Sequence, residues 1–593
     1  MSEATEGRIR RIFREARRRL GRTLDEQRRQ ASHAEALPQL AVLGVTCGLL
    51  AAGVMIAFRG VIEISQAALL PPGGPENYEN LTLRLQFLFP ITGAAILAGM
   101  FLRTPDATPH VGIVHVLERL AYHQGRLPFR NALAQFLGAV VAIVSGMPVG
   151  REGPAVHLGA ASASLVGQHL ALPNNALRVL VGCGAAAAIA ASFNTPLAGV
   201  AFAMEVVLVE YTVSGFAPVI LAAVSATAVT RLAYGADPAF TVPPLTFGSP
   251  WEMPYVLVMG VAIGALAAAF IALVEATTKR SSRWPFWSRA LLAGLLTGLC
   301  ALAVPEIMGI GYDTVSSTLR GEMGARLLLA IVALKLLSTG AVIGLGIPGG
   351  LIGPVVVIGA AAGGAFGALA LWATPAHVSS PALYALIGLG AMMAGTLHAP
   401  LAALTAMLEL TGNPNIIWPG MLAVIAAYGV SRVAFAQQPV FIALMQARGL
   451  DYRNDPILQS LRRVGVAAVM DSRVAALPRM SARAAIDATL ASSPTWILVL
   501  SAEKPIALLP ALDLARQTLE KPDVAEFDLL EVPAGRLQVA PIPLQATLQE
   551  ALDTMDTSGV QALFVVPASA WEEVHAYGVV TRDHIDRSYH YSR

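Results

Sequence analysis

Apolar residues run almost without interruption from position 37 to 450, in a pattern that fits neither a soluble core nor a simple membrane anchor. A spanning helix needs about 20 consecutive apolar residues. Segments that long are predicted at 38–62, 84–103, 128–147, 214–234, 255–275, 287–305, 325–345 and 415–436. Between them lie shorter apolar pieces broken by Gly and Pro, at 111–121, 154–168, 176–192, 196–209, 354–372, 381–396 and 400–411. Non-helical breaks at membrane depth are tolerated only where they are buried in protein or line a cavity. So many interrupted helices imply a transporter or channel. Small-residue runs at 182–192 and 359–370 suit close helix packing in lipid.

From about position 456 the periodicity changes to short apolar strands alternating with amphipathic helices. Trp496–Leu500, Ala562–Val566 and Tyr577–Val580 read as strands, and Ala484–Ala491 and Thr547–Ser558 as helices, the latter with Leu548, Ala551, Leu552 and Met555 on one face.

Composition sharpens this division. Only 13% of the 593 residues are charged, against roughly 25% in soluble chains, and the deficit falls in 37–450. The chain therefore reads as one large membrane domain, 37–450, between an Arg-rich segment, 1–36, and a soluble module, 456–593. Arg8, Arg10, Arg11, Arg14, Arg17, Arg18, Arg19, Arg22, Arg28 and Arg29 extend well past the cationic region of a secretory signal. The segment reads equally as an amphipathic helix or a solvated arm, and either way so much Arg beside the first span places the N-terminus in the cytoplasm. No nucleic-acid motif accompanies the arginines. Cys47, Cys183 and Cys300 lie in apolar stretches without metal spacing and read as packing residues.

An internal repeat carries the chemistry. Gly150-Arg-Glu-Gly-Pro154 with its following Ala-Val-His-Leu-Gly159 matches Gly350-Leu-Ile-Gly-Pro354 with Val-Val-Val-Ile-Gly359, an offset of 354 − 154 = 200. Asn194-Thr-Pro196-Leu-Ala-Gly and Glu205 match His398-Ala-Pro400-Leu-Ala-Ala and Glu409, an offset of 204. Repeated halves with discontinuous helices in corresponding positions point to a substrate site at the membrane midplane. Pro154 and Pro354 suit the first turn of a helix, where N–H groups lack partners. Such termini attract anions through free donors and a partial positive charge. Two meeting at the membrane centre would hold an anion without a lysine that binds it too tightly.

At these residues the chain resembles the CLC chloride channel and transporter family. The resemblance rests on GREGP at 150–154, PGGLIGP at 348–354, FNTPLAG at 193–199, HAPLAA at 398–403 and the segment holding Lys335 and Thr339. It implies an all-α polytopic membrane domain of two inverted repeats of short, tilted, discontinuous helices, assembled as a homodimer with one pore per subunit. It also implies that Glu152 gates the anion path, occupying it when ionised and swinging away when protonated. A buried structural pair with Arg151 is the competing reading. Matching the family's motifs onto this chain assigns anion contacts to Val111, Gly112 and Ile113, to Arg151 and Gly153, to Gly350, Leu351 and Ile352, and to Phe441.

The chain departs from the family at three of these places. Val111 stands where a serine hydroxyl normally coordinates the anion, and Phe441 where a tyrosine does. Each lost hydrogen bond to a charged group is worth about 1.5–3 kcal/mol, so a weaker chloride site or another small anion, fluoride included, is expected. Val206 stands where the exchanger branch carries an internal proton-relaying glutamate, and an aliphatic side chain relays no proton. That points to channel-like or weakly coupled conduction, with a proton-coupled antiporter as the alternative. Glu205 and Glu409 read as structural acids; His157, five residues after Glu152, reads as a packed or hydrogen-bonded side chain, with titration near the gate as the alternative.

The units at 463–518 and 541–588 resemble paired CBS domains, an α/β cytoplasmic module that often binds an adenine nucleotide. Its G-x-x-T-x-x-D ending maps onto Gly578 to His584, keeping Thr581 but placing His584 where the acid belongs and Asp583 one residue early. A structural plate is the competing reading, and no other cofactor or metal is implied. Nothing supports an enzyme. The expectation is a multi-pass protein of the cytoplasmic membrane, both termini cytoplasmic, carrying chloride or another small anion through the bilayer. The rival from another class is a membrane-tethered ligand sensor with a vestigial pore.

Overall fold

The structure is a computed structural model that describes residues 30, 32, 37–72, 76–102, 111–210, 213–236, 240, 242, 243, 245, 248–373, 379–450, 456–567 and 576–591. The Arg-rich stretch at 1–29 lies outside the described residues. Ala41–Val166 with Arg178–Tyr452 forms one compact unit, and Gly167–Leu177 groups with Arg453–Arg593 in the other.

The first unit is helical. Its helices are α1 (Leu37–Leu69), α2 (Leu83–Phe101), α3 (Gly112–Tyr122), α4 (Phe129–Val144), α5 (Glu152–His169), α6 (Asn174–Phe193), α7 (Pro196–Phe202), α8 (Val213–Tyr234) and α9 (Met253–Ser281). They continue as α10 (Phe286–Ala303), α11 (Tyr312–Leu319), α12 (Ala325–Gly344), α13 (Ile352–Ala373), α14 (Pro381–Leu397), α15 (Pro400–Thr411), α16 (Ile417–Gly429) and α17 (Val440–Ala447). Among the described residues nine helical segments are long and apolar enough to cross a membrane. The chain is a multi-pass membrane protein.

Element lengths depart from expectation in both directions. Asn174–Phe193 and Ile352–Ala373, read as short pieces, are unbroken helices of 20 and 22 residues. Phe129–Val144, read as a long span, has 16. Glycine and alanine in a helix buried among others mark close approach, not a break. An added Cβ on Gly159 would stand 2.3 Å from the Gly184 carbonyl oxygen, and one on Gly359 2.5 Å from that of Gly388. The α5–α6 and α13–α14 pairs therefore meet backbone to backbone at corresponding places of the two repeats.

The repeat extends to backbone angles. Asn194 and His398 both adopt left-handed conformations, φ 59° and 55°. The residues that then cap α7 and α15, Thr195 and Ala399, have nearly equal angles, φ −124° and −123°. The halves meet where the Gly150 N–H donates to the Gly350 carbonyl at 2.6 Å and the Gly350 N–H returns to the Gly150 carbonyl at 2.7 Å.

The second unit repeats a strand–helix–strand–strand–helix pattern. Its first half runs β1 (Val474–Pro478), β2 (Met480–Ala482), α20 (Arg483–Leu490), β3 (Trp496–Ser501), β4 (Lys504–Pro510) and α21 (Ala511–Glu520), after short helices α18 (Pro456–Arg462) and α19 (Val466–Val469). After β5 (Glu526–Asp528), the second half runs β6 (Leu537–Pro543), α22 (Leu548–Ser558), β7 (Ala562–Val566), β8 (Gly578–Thr581) and α23 (Arg582–Tyr591). Strand order is β1-β3-β4-β6-β7-β8, with β2 and β5 paired separately. β1–β3 and β6–β7 are parallel, while β3–β4 and β7–β8 are antiparallel, so the halves share one topology. The half-boundary differs from expectation in one respect. Leu461, Val466 and Ala467 pack into the second core with Ile542, Leu548 and Met555, not into the first.

Gly350 tests the joint between the repeats. A Cβ there would stand 2.6 Å from the Gly153 nitrogen, and overpacking of this kind costs about 1–3 kcal/mol. Gly350→Ala is expected to lower the thermal unfolding midpoint, whereas Gly53→Ala, with nothing within 4 Å of the new Cβ, is not. Equal midpoints for the two variants would show that the joint tolerates relaxation.

Candidate functional site

The site is built where α5 and α13 begin. The loop at 150–154 enters α5 with Glu152 as its first helical residue, and the loop at 350–354 enters α13 at Ile352. Their prolines lie in the first turns, where no N–H is missed. Because Gly150 and Gly350 exchange two hydrogen bonds, the two termini are held side by side. Gly350 thus spends its N–H on Gly150 and does not offer it to an anion, a correction to the expected set.

Glu152 is fully buried. The Gly353 N–H donates to its Oε2 at 3.0 Å, so the carboxylate sits on the first turn of α13. Room for it depends on missing side chains. A Cβ on Gly150 would lie 2.1 Å from Glu152 Oε2, and one on Gly353 3.1 Å from the same atom. The other carboxylate oxygen, Oε1, accepts a hydrogen bond from the Tyr312 hydroxyl. Tyr312 is the residue that sequence reasoning missed. It lies 160 positions away, outside the repeated motifs read from the sequence, and its one signal was the GIGY turn that starts a helix.

Arg151 does not pair with Glu152. Its Nη2 donates to the Ser192 carbonyl at 3.1 Å, and its guanidinium lies over the Tyr312 ring at 5.1 Å. The reading of Glu152 as one half of an adjacent ion pair is therefore corrected. Tyr312 is fixed from several sides. Its ring meets Phe240 edge-on at 5.2 Å and Phe193 at 6.0 Å. The turn before it is clamped by the buried Lys335, which donates to the Ile307 and Gly309 carbonyls at 2.9 and 3.0 Å. The Glu76 carboxylate accepts the Ile310, Gly311 and Tyr312 N–H groups at 3.1–3.2 Å. Thr339 donates to the Pro148 carbonyl at 3.0 Å, steadying the approach to Gly150.

A small cavity of about 30 Å³ lies next to this cluster, lined by Phe193, Phe202, Phe240, Ile352 and Val356 among others. Thr195 also lines it, and its buried hydroxyl has no hydrogen-bond partner among the described residues.

The remaining expected contacts come from other helices. Val111 immediately precedes α3 in extended conformation, with Gly112 and Ile113 as the first helical residues. Phe441 is the second residue of α17 and is buried. α17 packs against α3. Val206 is buried in a π-helical turn, Ala203–Leu208, that follows α7. Such turns are uncommon and gather at functional positions.

Glu205 and Glu409 have a role that the repeat foreshadowed only in part. The Glu205 carboxylate accepts the Leu401 and Ala402 N–H groups at the start of α15, at 3.1 and 2.7 Å. Glu409 in turn accepts those of Leu197 and Ala198 at the start of α7, both at 2.8 Å. Each acid caps the helix of the opposite repeat, so these two termini are already neutralised.

In the second unit, Thr581 ends β8 and Asp583 is exposed in the first turn of α23. Thr581 and His584 bond reciprocally at 3.4 Å, each accepting the other's backbone N–H through its side chain. Burial holds His584 below the usual imidazole range, so it is uncharged near neutrality. His584 closes the helix start here, and it supplies no carboxylate for a ribose.

Residues 93–432 match the family described as Voltage gated chloride channel. The chain is 32% identical over 372 residues to a Ralstonia nicotianae protein named "Putative chloride channel protein ClcB-like", covering 62% of this chain and 87% of that one. It is 31% identical over 324 residues to an H(+)/Cl(-) exchange transporter ClcA of Vibrio cholerae, covering 52% and 68%. A solved eukaryotic CLC transporter superposes with TM-score 0.59 at 19% identity, covering 93% of this chain and 99% of the other, a likeness of fold.

The exchanged caps carry a test. Two charge-assisted hydrogen bonds at a partly exposed helix start are worth about 2 kcal/mol. Glu205→Ala and Glu409→Ala are expected to lower the thermal midpoint by similar amounts. A silent variant on one side would show that the reciprocity is not energetic.

Proposed function

The chain belongs to the voltage gated chloride channel family, and on that footing we propose that it carries chloride or another small inorganic anion across a membrane in exchange for protons, with Glu152 as the gate that both ions share. The observation behind this reading is the Glu152 carboxylate on the Gly353 N–H. A helix terminus that accepts a carboxylate accepts a free anion in the same place. Protonation removes the negative charge that holds the side chain there. An anion then takes the vacated donors, and the proton leaves when the carboxylate returns.

The exchanger reading takes precedence over the channel-like one drawn from Val206. The Vibrio cholerae relative named as an exchanger supports it. A proton approaching from the Val206 side meets no acid at that position, and Thr195 is the polar group that borders the cavity. Val206 still favours the second reading, a channel or loosely coupled exchanger. The two readings part on stoichiometry. In liposomes with an imposed anion gradient, proton movement against the gradient at a ratio constant across voltage is expected. Anion flux with no proton movement would sink the exchange reading. Absence of flux for chloride, nitrate, bromide and fluoride alike would sink transport altogether and leave the ligand-sensor reading.

Anion contacts are proposed for the Leu351, Ile352 and Gly153 backbone and for the starts of α3 and α17, with Val111 and Phe441 supplying apolar walls. The protein is proposed to act as a homodimer in a cytoplasmic membrane, both termini cytoplasmic. Its paired strand–helix module resembles tandem CBS domains. The closed Thr581–His584 turn supports a structural plate there over an adenine nucleotide site.

Two substitutions probe the gate. Glu152→Gln mimics the protonated side chain and is expected to abolish proton coupling and flatten the pH dependence of flux. A pH profile like the wild type's would return Glu152 to a structural role. Tyr312→Phe removes one donor from the closed carboxylate, a bond worth about 1.5–3 kcal/mol. Flux at alkaline pH, where opening is limiting, is expected to rise roughly tenfold or more, while flux at acid pH changes little. A uniform fall at every pH would show that Tyr312 only supports the turn.

A further inference from the structure

The turn that carries Tyr312 offers three backbone N–H groups to one carboxylate, to which the exchange cycle above gives no part. Gly309 and Gly311 are left-handed there, φ 58° and 89°, and successive N–H groups in such a turn form a concavity that attracts negative charge. Glu76, from the turn between α1 and α2, fills it. Its Oε1 accepts the Ile310 N–H at 3.1 Å, and its Oε2 accepts those of Gly311 and Tyr312 at 3.2 and 3.1 Å. Glu76 is only 7% exposed and itself sits at φ 66°. A residue with a side chain adopts that conformation at a cost and keeps it only where its surroundings hold it. The two turns also touch directly, since a Cβ on Gly309 would stand 2.7 Å from the Tyr78 ring.

One of those donors belongs to Tyr312 itself, whose hydroxyl holds the Glu152 carboxylate. A single residue therefore joins Glu76, at its backbone, to Glu152, at its side chain. The charges around Glu76 are mixed. Asp313 and Tyr312 face it from α11, Lys335 from α12, Arg151 from the start of α5, and Tyr78 and Glu79 from its own turn. Glu306 faces Glu79. Glu79 and Asp313 share a hydrogen bond, and two carboxyl groups bond to each other only with a proton between them. Burial first, and then the Asp313 charge, push the Glu76 carboxyl up to about 7 against the pull of the Tyr312 N–H and Lys335. Above that pH the group is ionised and grips the turn; below it the group is neutral. A neutral acceptor holds an N–H roughly half as strongly as an ionised one.

We propose that Glu76 is a proton-operated latch on the gate: its ionised carboxylate braces the Tyr312 turn and so keeps Glu152 seated on α13, and protonation of Glu76 slackens that hold. The inference rests on the reading of Glu152 as the gate. It makes Glu76 a positioning residue, which acts through Tyr312 and does not touch the anion. The turn stays folded when the latch slackens. Lys335 still holds the Ile307 and Gly309 carbonyls, and the Gly309 N–H still donates to the Gly146 carbonyl at 3.1 Å. What changes is how firmly one hydroxyl meets one carboxylate. Opening thus answers to acid at two places, at Glu152 and at Glu76 in the turn between α1 and α2.

The test is chloride flux by the full-length protein in liposomes, followed on both sides of neutrality. Glu76→Gln keeps the shape and removes the charge. Flux on the alkaline side is expected to rise about threefold or more, short of the roughly tenfold expected of Tyr312→Phe, while flux on the acid side holds. In Glu152→Gln protein, where no carboxylate remains to be held, the same substitution is expected to lose that effect. Asp313→Asn removes the negative charge beside Glu76, so Glu76 stays ionised to lower pH and the flux profile is expected to move toward acid. Should Glu76→Gln fail to fold, the Asp313 variant decides alone. An unchanged pH profile in folded Glu76→Gln, an equal change with and without Glu152, or a profile that Asp313→Asn leaves in place or moves toward alkali would overturn the proposal. Transport itself fails only when the wild-type protein moves no anion, whereas the latch fails on the variants while wild-type flux persists.

Discussion

Two hydrogen bonds between Gly150 and Gly350 join the halves of the membrane unit, and the geometry of the site follows from them. They form only because neither residue has a side chain. A Cβ on Gly350 would stand 2.6 Å from the Gly153 nitrogen, and one on Gly150 3.1 Å from the Gly353 nitrogen. Once the loops are paired, the helices that leave them must start side by side. The Glu152 carboxylate on α5 then reaches the first turn of α13 without any side chain spanning a long distance. Lys335, Thr339 and Glu76 hold the surrounding turns on the same scale of about 3 Å.

A second constraint explains why so many carboxylates lie at helix starts. Short helices ending inside a membrane expose N–H groups that no water can satisfy. The protein answers at α15 with Glu205, at α7 with Glu409, at the turn before α11 with Glu76 and at α13 with Glu152. The first two each cross to the opposite repeat and bind two successive N–H groups. Glu152 instead shares its carboxylate between one N–H and a tyrosine hydroxyl, so it is held by fewer backbone donors than the others. In the proposed cycle, that difference separates a structural cap from a gate.

Several features were legible in advance because they are local. The Gly-Pro loops, the Pro-initiated helices and the offsets of 200 and 204 are written in short stretches of chain, and hydrophobic runs longer than a bilayer state their own destination. The strands Ala562–Val566 and Trp496–Ser501 declared themselves as short apolar runs bounded by polar turns. Less legible were strands such as Leu537–Pro543, which holds two prolines and whose place is decided by pairing with Ala562–Val566. Gly- and Ala-rich helices were read as broken, since the same residues that end a soluble helix allow two membrane helices to touch.

The amino-acid sequence by itself determined that this chain crosses a membrane repeatedly, that it is built from two related halves, and that Glu152 stands at the start of a helix. These follow from hydrophobic length, from repetition and from the conformational limits of Gly and Pro, all of which act over a few residues. Tertiary structure alone decided that Tyr312 and not Arg151 holds Glu152, and that Glu205 and Glu409 exchange helices. The reason is the same in each case. A hydrogen bond between residues tens or hundreds of positions apart depends on how helices cross, and crossing is set by side-chain volumes summed over whole surfaces, which no local pattern records.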